Sequence, residues 1–337
     1  MTSGLAIREV RTTEELEALA PAWWALWRRA PQATPFQAPA WLIPWWRSFQ
    51  PGELQTIAVE ADGRLVALAP LYLETGPLGR RLLPVGISLS DYLDVLLDPD
   101  VAPDAGAAIM AHLAGAEWPW EVLELQELAP GAAALALPVA AGLEETSAGQ
   151  SACPVLTLPG GVEGLAECIP ARQRRKLRMA RNRAERLGGV DIVRADGNSS
   201  QAFLQALFDL HRARWRSRGA SGVLDSAEVR RFHRAAIGGL AEAGLARLYE
   251  VRSEGRTIGA YYGLVHGGRA LAYLTGFDPA YERISPGTLL VGHAIAEAVR
   301  EGAREFHFLR GQETYKYGWS AADRWNRRRL FRRAPAP

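Results

Sequence analysis

The sequence predicts an α/β protein made of two tandem units, each a mostly antiparallel sheet flanked by helices. Three observations lead there. The chain has 337 residues, more than a single hydrophobic core usually serves, so two domains are the natural expectation. Its charge is divided: residues 1–150 carry 8 arginines against 19 acidic residues, a net −11, whereas residues 151–337 carry 31 basic against 18 acidic residues, a net +13. The halves also repeat one another. Ile57-x-Val59-x-x-x-Gly63-Arg64-x-Val66-Ala67 lines up with Tyr249-x-Val251-x-x-x-Gly255-Arg256-x-Ile258-Gly259 at an offset of 192, and Asp98-Pro99 lines up with Asp278-Pro279 at an offset of 180. The boundary is expected at 150/151, and an anionic ligand is expected to prefer the basic second unit.

Composition narrows the class. The two cysteines, Cys153 and Cys168, have no metal-ligand spacing and no metal is expected. Met1 to Val10 reads as a strand and not as a signal peptide. The longest small-apolar run, Ala132 to Leu143, is short and broken by Pro138, so no membrane span is expected and a cytoplasmic location follows by default. Oligomeric state has no signature.

Taken in order, Leu5 to Arg11 alternates like a strand. Thr12 and Glu15 form a capping box for a helix to about Ala30, with Leu16, Leu19, Trp23 and Trp27 on one face. Thr34-Pro35-Phe36-Gln37 turns into a second, Trp-rich helix ending near Phe49; its tryptophans read most simply as core. Leu54 to Glu60 and Leu65 to Glu74 form a hairpin around Asp62-Gly63. A short strand (Asp94 to Leu97), a helix (about Pro103 to Ala114) and a strand (Glu121 to Leu125) follow. Pro130 to Thr157 is Ala/Gly/Pro-rich and is expected to hold the crossover. A basic helix spans Arg172 to Arg183 and ends at Gly188-Gly189. Helices over about Ser200 to Arg216 and Asp225 to Ala243 precede a three-strand meander: Ala246 to Val251, Arg256 to Val265, Arg269 to Phe277. Trp325 to Phe331 reads as a last strand of the second unit.

The stretch from Tyr273 to Trp319 organises the rest. A strand to Phe277 and a loop Asp278 to Ser285 feed a helix from Pro286 to Glu301, then a strand from Arg304 to Leu309. Ser285 fits an N-cap and Pro286 the first helical position. The free backbone N–H groups of such a start, with Arg283 beside them, make an anion site. In the first copy Asp98, Asp100 and Asp104 stand there instead and would repel phosphate. After the second strand, Arg310 to Trp319 concentrates acid, base, phenol and amide groups where α/β folds commonly hold ligands.

This arrangement resembles the GNAT acyltransferases, and more closely their CelD-like or BioF-like acetyltransferase branch. The residues that carry the resemblance are the basic helix, Asp278-Pro279-x-Tyr281, Ser285-Pro286-Gly287 and Gly311-x-Glu313-x-Tyr315-Lys316. Thr34-Pro35-Phe36-Gln37 and Ser90-Asp91-Tyr92 extend it to the first half. A more distant likeness is to the FemABX peptidyltransferases, tandem GNAT domains that use aminoacyl-tRNA. The usual GNAT loop has a glycine where Pro286 stands, which removes one amide.

The resemblance implies acyl transfer from an acyl-CoA, as co-substrate, to an amine of a small molecule, sugar or peptide side chain. The cofactor site would be Phe277, Arg283, Ser285, Gly287 and Thr288. Tyr315 would be the general acid, with Glu313 as base or water-orienter, and Lys316 and Asp91 in support. Phe36, Gln37, Tyr92 and Arg310 would contact substrate, with Asp91 and Tyr92 reaching a cleft between the domains. Lys316 is one of only two lysines against 37 arginines, a hint that a compact ammonium is required. The basic helix admits three readings: a solvated face docked on the acidic half, a site for anionic substrate, or a tRNA surface. The alternatives to acyl-CoA transfer are an aminoacyl-tRNA-dependent transferase and a non-catalytic component of exopolysaccharide biosynthesis. On the first reading, nucleic acid is not a partner.

Overall fold

A computed structural model describes residues 4–216, 219 and 222–333; Met1 to Ser3 of the first expected strand lie outside the described residues. The chain divides into one unit of residues 4–151 with 325–333 and a second that spans 152–324. The last strand, expected in the second domain, therefore belongs to the first. Its residues Arg327 and Arg329 to Arg332 pair antiparallel with 122–128, and its alternation buries Phe331 in the first unit's core.

The first unit opens with β1 (Leu5–Val10), α1 (Thr13–Ala18), α2 (Ala20–Arg29) and α3 (Pro39–Phe49). The single helix expected over 12–30 breaks at Leu19, because Pro21 has no N–H with which to continue the ladder. Then come β2 (Glu53–Leu54), β3 (Thr56–Ala61), β4 (Arg64–Ala69), β5 (Leu71–Gly76), β6 (Gly79–Pro84), β7 (Leu96–Leu97), α4 (Ala102–Gly115), β8 (Val122–Leu128) and β9 (Leu143–Thr157). The expected hairpin is split by Pro70. The order β1-β3-β4-β7 makes one antiparallel sheet, while β5 turns away to pair with β2 and β6, and β6 runs parallel to β8. Trp23, Trp27, Trp41 and Trp46 donate their indole N–H groups to Gln37 O, Thr34 O, Ser90 Oγ and Thr13 Oγ1. Buried aromatic bodies with satisfied polar tips are what a core requires.

The second unit contains α5 (Leu165–Cys168), α6 (Ala171–Arg186), β10 (Asp191–Ala195), α7 (Ser200–Arg216), α8 (Ala227–Glu242), β11 (Ala246–Ser253), β12 (Arg256–His266), β13 (Arg269–Phe277), α9 (Pro286–Arg300), β14 (Glu305–His307) and α10 (Thr314–Tyr317), before β15 (Ala322–Arg333) leads back to the first unit. Its strand order is β10-β11-β12-β13-β14, with residues 155–157 of β9 on the far side of β14. All these pairs are antiparallel except β13 with β14. A parallel neighbour needs a crossover, and α9 supplies it. Only Arg269 to Leu271 of β13 pair with β14, so beyond them the two strands part. The basic helix α6 packs on α9 within this unit: it buries Gln173, Ala180 and Ala184, and Leu177 sits against Gly292.

The sequence repeat has a structural counterpart. Arg64 pairs with Asp98 at 3.5 Å and Arg256 with Asp278 at 2.7 Å. The N–H of Asp98 donates to Val66 O (2.8 Å) and that of Asp278 to Ile258 O (2.9 Å). Asp62-Gly63 and Glu254-Gly255 both turn with positive φ at each residue, as a tight hairpin turn requires. Thus two mixed α/β units, each a largely antiparallel arrangement flanked by helices, share one plan. Among the described residues no helix is long and apolar enough to cross a membrane.

Candidate active site

Where β13 and β14 part, the second unit holds a cavity of about 300 Å³. Thr275 and Phe277 come from the end of β13 that pairs with β12 but not with β14, and Ser285, Gly287, Thr288 and Val291 from the start of α9. Tyr315, Gly318 and the buried Trp319 come from the loop after β14, Gln173 and Lys176 from α6, and Arg214 from α7. Parallel strands joined by a helix open such crevices beyond their ends. Five of the expected site residues, Phe277, Ser285, Gly287, Thr288 and Tyr315, thereby meet.

The start of α9 differs from the expected cap. Ser285 takes a left-handed conformation (φ 55°, ψ 59°) and its side chain makes no cap hydrogen bond. Its carbonyl instead accepts the N–H groups of Thr288 (2.9 Å) and Leu289 (3.2 Å). Pro286 has no N–H, so Gly287 keeps the one amide of the first helical positions without a backbone partner among the described residues. The expected row of free amides shrinks to one. Arg283 is exposed and does not line the cavity; its carbonyl accepts Nη1 of Arg183 from α6 (3.1 Å), which ties α6 to the 3-10 turn Pro279–Ile284.

The loop after β14 is built around Lys316. Its side chain is 3 % exposed, and Nζ donates to the carbonyls of Leu309 (3.2 Å), Arg310 (2.7 Å) and Gly311 (3.0 Å). Glu313 Oε2 stands 2.9 Å from the same nitrogen. Leu309 and Gly311 have positive φ (59° and 105°), which turns consecutive carbonyls inward. An ammonium has three donors and no plane, so it fits this cage where a guanidinium would not. Lys316 is thus a holding residue, and Glu313 is its partner with a carboxylate that remains 58 % exposed. The far side of the loop is tied by Tyr317 Oη and Gln312 Nε2, both donating to Asp323 at 2.8 Å.

This frame projects Tyr315 from α10. Its ring packs edge-on against Phe308 (6.3 Å between centroids), and the residue stays 54 % exposed. Desolvation around the phenol, with the Glu313 charge adding to it, pushes its pKa up to about 12. It is therefore protonated at neutral pH and equipped to donate. Opposite, the Arg214 guanidinium lies 4.8 Å over the Phe277 ring.

The remaining expected residues lie elsewhere. Phe36 is fully buried in the first unit against Trp41. The Gln37 side chain accepts Thr34 N–H (2.9 Å) and donates to Tyr92 O (2.8 Å). Tyr92 is buried, and the half-buried Asp91 offers its carbonyl to Asn326 Nδ2 (3.1 Å). Phe36, Gln37 and Tyr92 thus serve the first unit's packing, since their surfaces and hydrogen bonds are taken up there. Arg310 is half-buried and its carbonyl is held by Lys316. The sequence reading missed Gln173, Lys176, Arg214 and Glu282. Lys176, the other lysine of the chain, carried the same compositional hint as Lys316; Arg214 carried none, being one arginine among 37.

A family model described as an acetyltransferase (GNAT) domain matches residues 171–317, from the start of α6 to the end of α10. No curated protein matches the chain by sequence. Among solved structures it is similar to FemX, at 13% identity and a TM-score of 0.66 over 96% of both chains. It is similar to L-PGS from Bacillus licheniformis, at 14% identity and a TM-score of 0.58 over 93% of this chain and 91% of that one. A tandem GNAT protein from the clavulanic acid biosynthesis pathway matches at 15% identity and a TM-score of 0.50 over 99% of this chain and 100% of that one. At such identities the likeness is one of fold. Residues 171–317 thus match the model of the GNAT domain family, in a chain whose fold is like that of a tandem GNAT protein.

Proposed function

We propose that the protein is an N-acyltransferase that moves an acyl group from a CoA thioester to an amine. The observation that carries this reading is the cavity that joins the α9 start, two cations and a protonated phenol. Its mixed lining suits the phosphates and thioester arm of such a donor: Phe277, Val291 and Trp319 offer apolar surface, and Gly287 N–H and the basic side chains offer donors. In the reaction the amine nitrogen bonds to the thioester carbon, the C–S bond breaks, and Tyr315 gives its proton to the departing thiolate. The amine proton leaves to water or to Glu313, whose exposed carboxylate can reach solvent. The amine itself is a small molecule, a sugar or a peptide side chain.

The test is thermal stability against CoA and acyl-CoAs of rising chain length. A ligand at 100 times its Kd adds about 2.7 kcal/mol. A shift that grows and then stops with chain length supports the reading and measures the acyl site; no shift with any CoA removes it. A second reading has its own observation. Arg172, Arg175, Lys176, Arg178, Arg181 and Arg186 of α6 are exposed, and the ion pairs of the described residues include none of them. Such a basic face suits an aminoacyl-tRNA donor. Binding of aminoacyl-tRNA that falls steeply with salt, with no response to CoA, would favour it.

A further inference from the structure

We propose that Lys176 of α6 and Arg214 of α7 form a two-cation clamp for the donor's phosphates, in place of the backbone amides missing at the start of α9. The proposal rests on the acyl-CoA reading for the identity of the donor, but not for the clamp itself. Helix starts usually hold phosphate with several N–H groups. Here Pro286 has none, and Ser285 O occupies those of Thr288 and Leu289, which leaves Gly287. One amide is a weak anion site, yet the cavity it opens on is electropositive: Lys176 and Arg214 line it against a single carboxylate, Glu282.

The two cations suit complementary tasks. Lys176 is exposed and takes part in no ion pair among the described residues, so its ammonium is available as a point charge for phosphate. Arg214 is braced over the Phe277 ring at 4.8 Å, which limits its rotamers and presents a fork able to take two oxygens at once. They come from different helices, α6 and α7, so the clamp forms only when the unit folds. A site that reads charge through side chains, with one amide to impose shape, tolerates donors that differ beyond the phosphates. It also loses affinity with salt more steeply than an amide nest does, because exposed charges are screened.

The probe is inorganic pyrophosphate, titrated calorimetrically into the full chain, with Lys176→Gln, Arg214→Gln, their double variant, Arg214→Lys, and, as a control, Arg8→Gln at an exposed residue of the first unit that does not line the cavity. Each clamp substitution should weaken pyrophosphate about ten-fold, the size of one lost charge-assisted contact. The double variant should show no binding, Arg214→Lys should fall between, and Arg8→Gln should match the parent. Pyrophosphate affinity unchanged in Lys176→Gln, or no binding by the parent chain, overturns the clamp. Because Lys176 is exposed, its variant decides the matter even where Arg214→Gln fails to fold. A parallel titration with acetyl-CoA separates the two ideas. Pyrophosphate bound through the clamp with no acetyl-CoA binding would retain the clamp and end the acyl-CoA reading; acetyl-CoA bound equally by parent and double variant would do the reverse.

Discussion

Lys316 is buried with three carbonyls and a carboxylate around its ammonium, so its removal strands several buried acceptors at once. We expect Lys316→Met to cost about 3 kcal/mol in urea unfolding, and Lys316→Arg to cost nearly as much, because a planar fork cannot fill a compact cage. An arginine variant as stable as the parent would show the cage to be loose. Tyr315 is the opposite case: half-exposed, packed only edge-on, and protonated. Tyr315→Phe should lower transfer from the donor that stabilises the protein by about 10²-fold or more, with a melting temperature within a degree or two of the parent. A rate equal to the parent's would take Tyr315 out of the reaction. The rarity of lysine singled out Lys316 and the GNAT resemblance singled out Tyr315, but only burial distinguished the one that holds the loop from the one that the loop presents.

At the scale of elements, the site depends on how closely α6 approaches α9. A Cβ at Gly292 would lie 2.8 Å from a Leu177 methyl and 3.3 Å from the Trp319 ring, so in Gly292→Ala either the Leu177 side chain or α6 itself has to shift beside the Trp319 wall of the cavity. We expect a loss of about 1–3 kcal/mol and weaker donor binding. Unfolding midpoints and CoA affinity both unchanged would mean that Leu177 simply turns aside. The helices and the meander were legible because 3.6-residue periodicity, the Thr12 cap and Gly-containing turns are local signals. The left-handed Ser285 was not legible. Serine at a helix start ordinarily caps, and here the close packing of Pro286 on β12, where a Cβ at Gly259 would stand 3.2 Å from Pro286 Cβ, accompanies a different backbone.

For the whole molecule, the titrating groups are unevenly placed. His211, His233, His266, His293 and His307, all in the second unit, have pKa values lowered by burial, His233 to about 3 and His266 to about 4. The unfolded chain binds protons at these sites below about pH 6.5 while the folded one does not, so their effect is to reduce stability progressively as pH falls from about 6.5 toward 4. Glu305 acts in a lower window. Hydrogen bonds from His307 and Arg324 hold its pKa to about 2, so its stabilisation is complete above the unfolded value near 4.5 and is lost only as pH falls toward 2. Hydrogen exchange should therefore show peptides from 227–266 losing protection between pH 6.5 and 5, ahead of peptides from 56–69. Equal protection across that range would contradict the pKa assignments.

The sequence by itself determined the α/β class, the two-unit repeat and the stretch from Phe277 to Trp319 that supplies most of the cavity. These rest on local periodicity, turn chemistry and order along the chain, which survive without long-range contacts. Tertiary structure decided the rest. It sent β15 to the first unit, because only the pairing partner determines where a strand belongs. It placed Phe36 and Gln37 in a core, because burial depends on what packs around a residue. It brought Lys176 and Arg214 to one cavity from two different helices, because side-chain charge acts through space and no local pattern encodes which of 37 arginines will line the same cavity as a lysine of another helix.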